Sequence, residues 1–138
     1  MNERCLLILA AVLLSLAVAT GAFGAHGLKA LVSPAQLAVW QTAVLYHLIH
    51  GLGLLVMVAL VPQLGGFTGC ARCSHLLRLA VWCLLLGIVL FSGSLYLLVL
   101  TDTPWLGAIT PVGGTAFIVG WLSLALAGVR QPTRKTRA

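Results

Sequence analysis

Six residues, Tyr46 to Gly51 (YHLIHG), place two histidines three apart in a run that is otherwise hydrocarbon. Imidazoles at i and i+3 share a helix face, so His47 and His50 could offer nitrogen lone pairs to one metal or hydrogen bonds to one ligand. His26 is a candidate third ligand, and the only strong fourth is Asp102, which reads as shallow. Haem is the weakest fit, because axial ligation normally takes a histidine from each of two facing helices. Hydroxyls are also available at Ser92, Ser94, Tyr96 and Thr110. The competing reading keeps both histidines neutral, bonded to Ser92, Tyr96 or a backbone carbonyl, as polar links between helices. Cys70 and Cys73 form a lone Cys-x-x-Cys followed by His75. With no second ligand pair, and without the Cys-x-x-Cys-His order of haem attachment, the pair is read as incidental. Cys5 and Cys83 are read as small apolar fillers.

The elements that must carry these residues are legible from composition. The chain has 138 residues, 61% hydrophobic and 7% charged, and a mean hydropathy of +1.11. Four apolar stretches, about residues 5–25, 42–61, 76–100 and 112–129, are each long enough to cross the roughly 30 Å hydrocarbon layer. Within them the only charged side chain is Arg78, at the entry of the third. The expected fold class is an all-α membrane protein, a four-helix transmembrane bundle. Residues 1–130 form one domain, and 131–138 a basic disordered tail. The first stretch resembles a signal peptide up to Ala19, but its apolar run continues through Gly24, so it is read as a retained span.

Basic residues set the expected orientation. Arg4, Arg72, Arg78, Arg130, Arg134, Lys135 and Arg137 flank one side of the spans, and Lys29 with Asp102 the other. That asymmetry predicts both termini in the cytoplasm and a location in the cell inner membrane. It also accounts for the pI of about 9.8. The positive charge borders a membrane and suits anionic headgroups; no surface for reading nucleic acid is expected.

Breakers and small residues add detail. Pro62 is read as stopping the second helix, and Thr110-Pro111 as an N-cap and first helical residue. Ser33-Pro34 starts either an interfacial turn or an outward extension of the second helix. Trp40 and Trp105 are read as interfacial anchors. In the fourth span Gly113, Ala116, Gly120, Ser123 and Ala127 form a small-residue seam; in the first, Ala11, Ser15, Ala22 and Ala25 form one, and Ala17, Gly21 and Ala25 another. Such seams permit close backbone contact, within the bundle or between copies.

Taken together, GAFGAHGLK (Gly21 to Lys29), QTAVLYHLIHGLGLL (Gln41 to Leu55), FSGSLYLL (Phe91 to Leu98) and WLGAITPVGGTAFIVGW (Trp105 to Trp121) resemble the YgdD family. The resemblance covers the chain apart from its termini and the Cys70 loop. It implies a four-span inner-membrane protein of a domain of unknown function, and it carries over no activity, cofactor or catalytic residue.

All these segments lie toward the outer half. His47 and His50 sit roughly 8 to 12 Å inward of Thr42 by helical rise. His26, His47, His50, Ser92, Tyr96, Thr110, Gly113 and Gly114 are therefore expected at similar depth, as a polar outer-leaflet pocket for a lipid or small ligand. The start of the fourth helix, with Gly113 and Gly114, could alternatively hold a lipid phosphate. A Ser94–His50 hydrolase lacks the Gly-x-Ser-Gly turn of intramembrane serine proteases, so no catalytic residue, metal or cofactor is expected. The alternative function is a structural or assembly protein that packs through its seams against a second copy or another membrane protein. A small transporter or a redox or quinone-binding subunit is a lesser alternative, and the apolar inner half offers transport no continuous polar path.

Overall fold

The computed structural model describes residues 2–64, 66, 67 and 71–129. The tail 131–138 and Cys70 of the cysteine pair lie outside the described residues. Among the described residues, four helical stretches are long and apolar enough to cross a membrane: Glu3–Ala30, Pro34–Gln63, Cys73–Thr101 and Pro104–Val129. They are apolar all round, as helices bathed in lipid must be, and large side chains such as Ile8, Val18, Trp82, Val89 and Ile118 point outward.

Helix α1 (Glu3–His26) starts where the Asn2 side chain accepts the Cys5 amide at 2.8 Å, with Glu3 in its first turn. A short 3₁₀ turn, Leu28–Ala30, leads to α2 (Pro34–Gln63). Ser33 accepts the Gln36 amide at 3.2 Å, and Gln36 Oε1 accepts the Ser33 amide at 3.0 Å, a complete capping box. Residues 34–41 are therefore an outward extension of α2. Pro62 does not stop this helix; it lies in the last turn, and the helix runs one residue further.

The third span is not one uniform α-helix. It runs as α3 (Ala71–Gly87), a π-helical segment (Ile88–Gly93) and α4 (Ser94–Thr101). Asp102 ends it in the left-handed conformation, φ 49°, and accepts a hydrogen bond from Gln36 Nε2 at 2.9 Å. That contact ties the start of α2 to the connection between α4 and the last span. A 3₁₀ segment, Pro104–Ala108, folds back beside α4 and feeds α5 (Thr110–Val129).

Successive spans are antiparallel. α1 packs along α2, α3 along α5, and α2 meets both the π segment and α4. An apolar core in the half of the bundle nearer the chain termini gathers Leu6, Leu54, Met57, Leu77, Leu84 and Ala127, among others. A smaller cluster toward the opposite end centres on Leu28, Trp40 and Val99.

Glycines set the spacing where helices cross. A Cβ on Gly113 would collide with the backbone of Leu90 and Phe91, and one on Gly87 with the Phe117 ring. On Gly120 it would lie 3.2 Å from the Ala80 carbonyl oxygen. The buried face of α5 is Gly113, Phe117, Gly120, Ser123 and Ala127, while Ala116 is half-buried beside it. On α1 the buried residues are Leu6, Ala10, Ala17 and Gly24, whereas Ala11, Ser15, Ala22 and Ala25 face outward.

Two local expectations are corrected. Trp40 is 3% exposed and donates its indole N–H to the Thr20 carbonyl at 2.9 Å, so it is an interior residue, fitted against Gly24. Trp105, 65% exposed, does lie on the surface. Thr110 is not an N-cap: the carbonyl of Ile109 accepts the Val112 amide at 3.0 Å, and the Thr110 side chain turns to Ser94.

Candidate functional site

The polar residues make hydrogen bonds in three separate groups. The longest joins α1, α2 and α4. Thr20 Oγ1 donates to the Ala17 carbonyl at 3.0 Å and lies 3.1 Å from the Tyr96 hydroxyl. That hydroxyl lies 3.4 Å from His47 Nδ1, near the outer limit for a hydrogen bond. Each hydroxyl has one proton, and a carbonyl only accepts. Thr20 spends its proton on Ala17, so Tyr96 donates to Thr20, and His47 Nδ1–H donates to Tyr96. His47 Nε2 is then left as a bare lone pair. Trp40 closes the group, its ring 4.7 Å from that of Tyr96.

His50 sits in a different environment. Its Nδ1 is 2.7 Å from the Tyr46 carbonyl oxygen and must carry the proton donated there. Its ring stacks on Phe117 at 3.4 Å and 11°, and Tyr46 stacks in turn on Phe91 at 4.2 Å. The two histidines share a helix face in sequence but serve different partners: His47 faces Tyr96, and His50 the aromatic side of α5.

A third linkage joins α4 to α5. Ser94 Oγ donates to the Phe91 carbonyl at 3.0 Å, so the Thr110 hydroxyl, 3.1 Å away, is the donor to Ser94. With Thr110 engaged and the Val112 and Gly113 amides directed to Ile109, the opening turn of α5 is committed to protein contacts. Gly113 abuts the Phe91 backbone, and Gly114 lies 3.8 Å from its ring by the same measure of an added Cβ. The glycines serve close packing there.

His26 does not join the others. It is exposed at the end of α1, six residues or about 9 Å beyond Thr20 along the helix. Among the described residues, no group of three His, Cys, Asp or Glu side chains could hold a metal ion. Ser92 is fully buried in the π segment. Sequence reasoning missed Thr20, Trp40 and Phe117. Thr20 left a signal, a lone hydroxyl in the outer half of the first span; the aromatic residues left none, since their direction depends on helix rotation.

Grooves among the described residues open toward the lipid-facing surface. One, about 230 Å³, lies between α1 and α2 along Gly21, Gly24, Trp40 and Val44. The larger, about 480 Å³, lies between the π segment, α4 and the outer 3₁₀ segment, along Val89, Leu90, Gly93, Leu97, Leu106 and Ile109. Its lining is apolar apart from Ser94 and Tyr96.

Four antiparallel apolar helices, pinned in the half away from the chain termini by interhelical hydrogen bonds, define a multi-pass α-helical membrane protein. Residues 20–114 match the family model described as "Protein of unknown function (DUF423)". The UPF0382 membrane protein YwdK of Bacillus subtilis (strain 168) is 45% identical over 127 residues, 92% of this chain and 98% of the relative. The UPF0382 membrane protein SERP0230 of Staphylococcus epidermidis is 46% identical over 127 residues, 92% of this chain and 97% of its own. In Staphylococcus aureus (strain bovine RF122 / ET3-1) the UPF0382 membrane protein SAB0533 is 44% identical over 124 residues, 90% of this chain and 94% of its own. The chain belongs to the DUF423 family. No solved structure matches it.

Proposed function

We propose that the protein is a non-enzymatic protein of the cell inner membrane that retains the apolar chain of a lipid in the groove beside α4. Both termini face the cytoplasm in this reading, so the groove opens into the outer leaflet. Its relation to the YgdD proteins belongs to the same reading. The observation that carries it is the groove of about 480 Å³ along Val89, Leu90, Gly93, Leu97, Leu106 and Ile109. Tyr96 and Ser94 are its polar edge, and both are already bonded within the bundle, which favours a hydrocarbon occupant over a headgroup. Membrane lipid is thus the expected partner, and no role in nucleic-acid binding is proposed.

The test is a membrane carrying a lipid with a photoactivatable group on its acyl chain. Crosslinks should concentrate on Leu97 and Leu106 and be sparse on the outward face of α1 at Ala11, Ser15 and Ala22. Labelling spread evenly over all outward faces would defeat the proposal.

A second reading, a structural or assembly protein packing against a second copy or another membrane protein, has its own support. The Thr20–Tyr96–His47 and Ser94–Thr110 linkages join side chains of different helices, as polar links between helices would. It would be favoured by an assembly of fixed size that persists without retained lipid.

A further inference from the structure

Two polar atoms fall outside every pairing above. His47 Nε2 and Ser92 Oγ are enclosed by protein and have no hydrogen-bond partner among the described residues. Both side chains are almost wholly buried, His47 at 5% and Ser92 at 0% exposure. Other hydroxyls in the spans return their proton to the helix: Ser15 to Ala11, Ser94 to Phe91 and Ser123 to Val119. Ser92 does not, and it lies within the π segment, where the widened ladder departs from the α-helical pattern.

The residues that carry them lie at one level of the bundle. The residues just before them, Tyr46 and Phe91, stack at 4.2 Å, and Tyr96, four residues beyond Ser92, reaches His47 Nδ1 at 3.4 Å. Their chemistry is complementary. The proton order along Ala17, Thr20 and Tyr96 leaves His47 Nε2 as an acceptor, while the Ser92 hydroxyl can both donate and accept. One small molecule that donates to the first and pairs with the second satisfies both. A lone imidazole with one hydroxyl is too few donors for a structural metal site. A lipid or quinone headgroup would leave the atoms open to the surface, and they are sealed.

We propose that His47 Nε2 and Ser92 Oγ bind one buried water molecule between α2 and the π segment. The water donates a hydrogen bond to Nε2, which stays unprotonated, and makes its second hydrogen bond with the Ser92 hydroxyl. Buried waters characteristically satisfy two to four polar groups that protein atoms leave unmet. Its position extends the chain from Ala17 through Thr20, Tyr96 and His47 to the π segment, so that one hydrogen-bonded line crosses α1, α2 and the third span. His47 is the pivot of that line, and the π turn is the feature that points Ser92 at it.

The test is solid-state NMR of the full chain with ¹⁵N-labelled histidine in hydrated lipid bilayers, the His47 signal being assigned by its loss in His47→Gln. The expected spectrum has a protonated Nδ1 and an unprotonated Nε2, with magnetisation passing from water protons to Nε2. That transfer should fall at least severalfold in Ser92→Ala and in the nearly isosteric Ser92→Cys, so that failure of one variant to fold leaves the other to decide. A proton on Nε2, or an unprotonated Nε2 that receives nothing from water, would overturn the site. Transfer unchanged in a folded Ser92 variant would also overturn it, because the water would then not be held by Ser92.

Discussion

At Tyr96 three spans meet through one oxygen. It links Thr20 of α1 to His47 of α2 from its own place on α4, and its ring packs on Trp40. Interhelical hydrogen bonds within membranes contribute about 0.6 kcal/mol on average and up to about 1.7. Tyr96→Phe, which removes the hydroxyl and keeps the ring, should therefore lower unfolding free energy by roughly that range, measured by denaturant titration in mixed micelles. A loss near zero would mean that neither the 3.1 Å contact to Thr20 nor the 3.4 Å contact to His47 stabilises the fold. The pairing of His47 with Tyr96 was foreseeable, because both are polar residues at a similar depth. A backbone carbonyl was also among the partners open to His50, but its stacking on the Phe117 ring was not foreseeable, because residues three apart diverge by enough to meet different neighbours.

At the scale of elements, the seam of α5 makes opposite predictions for its two ends. Gly113 faces the backbone of the π segment and Gly120 the backbone of α3, whereas a Cβ on Gly128 would meet nothing within 4 Å. Overpacking of a filled contact typically costs about 1–3 kcal/mol. Gly113→Ala should fall at or above that range and Gly120→Leu beyond it, with loss of folded protein rather than a change in assembly size on gel filtration. Gly128→Leu should be neutral in the same assays. The small-residue spacing announced a close contact, but not with which partner, since seams within and between chains use the same residues. The π segment was less legible still. Its sequence, IVLFSG, fits an α-helix, and the extra residue shows only in how Phe91 and Ser92 are directed. Deleting Val89 removes that extra residue, so the span should close into a continuous α-helix with the register beyond it kept. Tyr96 and Ser94 should then still reach Thr20 and Thr110, and the variant should still accumulate in the membrane fraction; its absence from that fraction would contradict this.

For the molecule as a whole, the four spans and their antiparallel order were readable from length and hydropathy, because lipid demands long, internally satisfied helices. The contents of the outer half were not, because helix rotation decides whether polar residues line a cavity or bond to one another. With the basic flanks as the guide, a reporter fused after residue 138 should be active only as a cytoplasmic fusion, and a tag inserted between Leu31 and Ser33 should be accessible from outside intact cells.

The central claim, a lipid chain held beside α4, is most directly tested at Gly93. A Cβ there would find its nearest atom, the Ile88 carbonyl oxygen, only at 4.0 Å, so a larger side chain can enter the groove without moving the backbone. The measurement is native mass spectrometry of the protein released from lipid nanodiscs at increasing collision energy, wild type against Gly93→Phe. The account expects the wild type to keep about one lipid after bulk lipid is stripped, and Gly93→Phe to lose it while keeping the same thermal stability. A wild type that sheds all lipid together, or a folded Gly93→Phe that retains as much as the wild type, would contradict it.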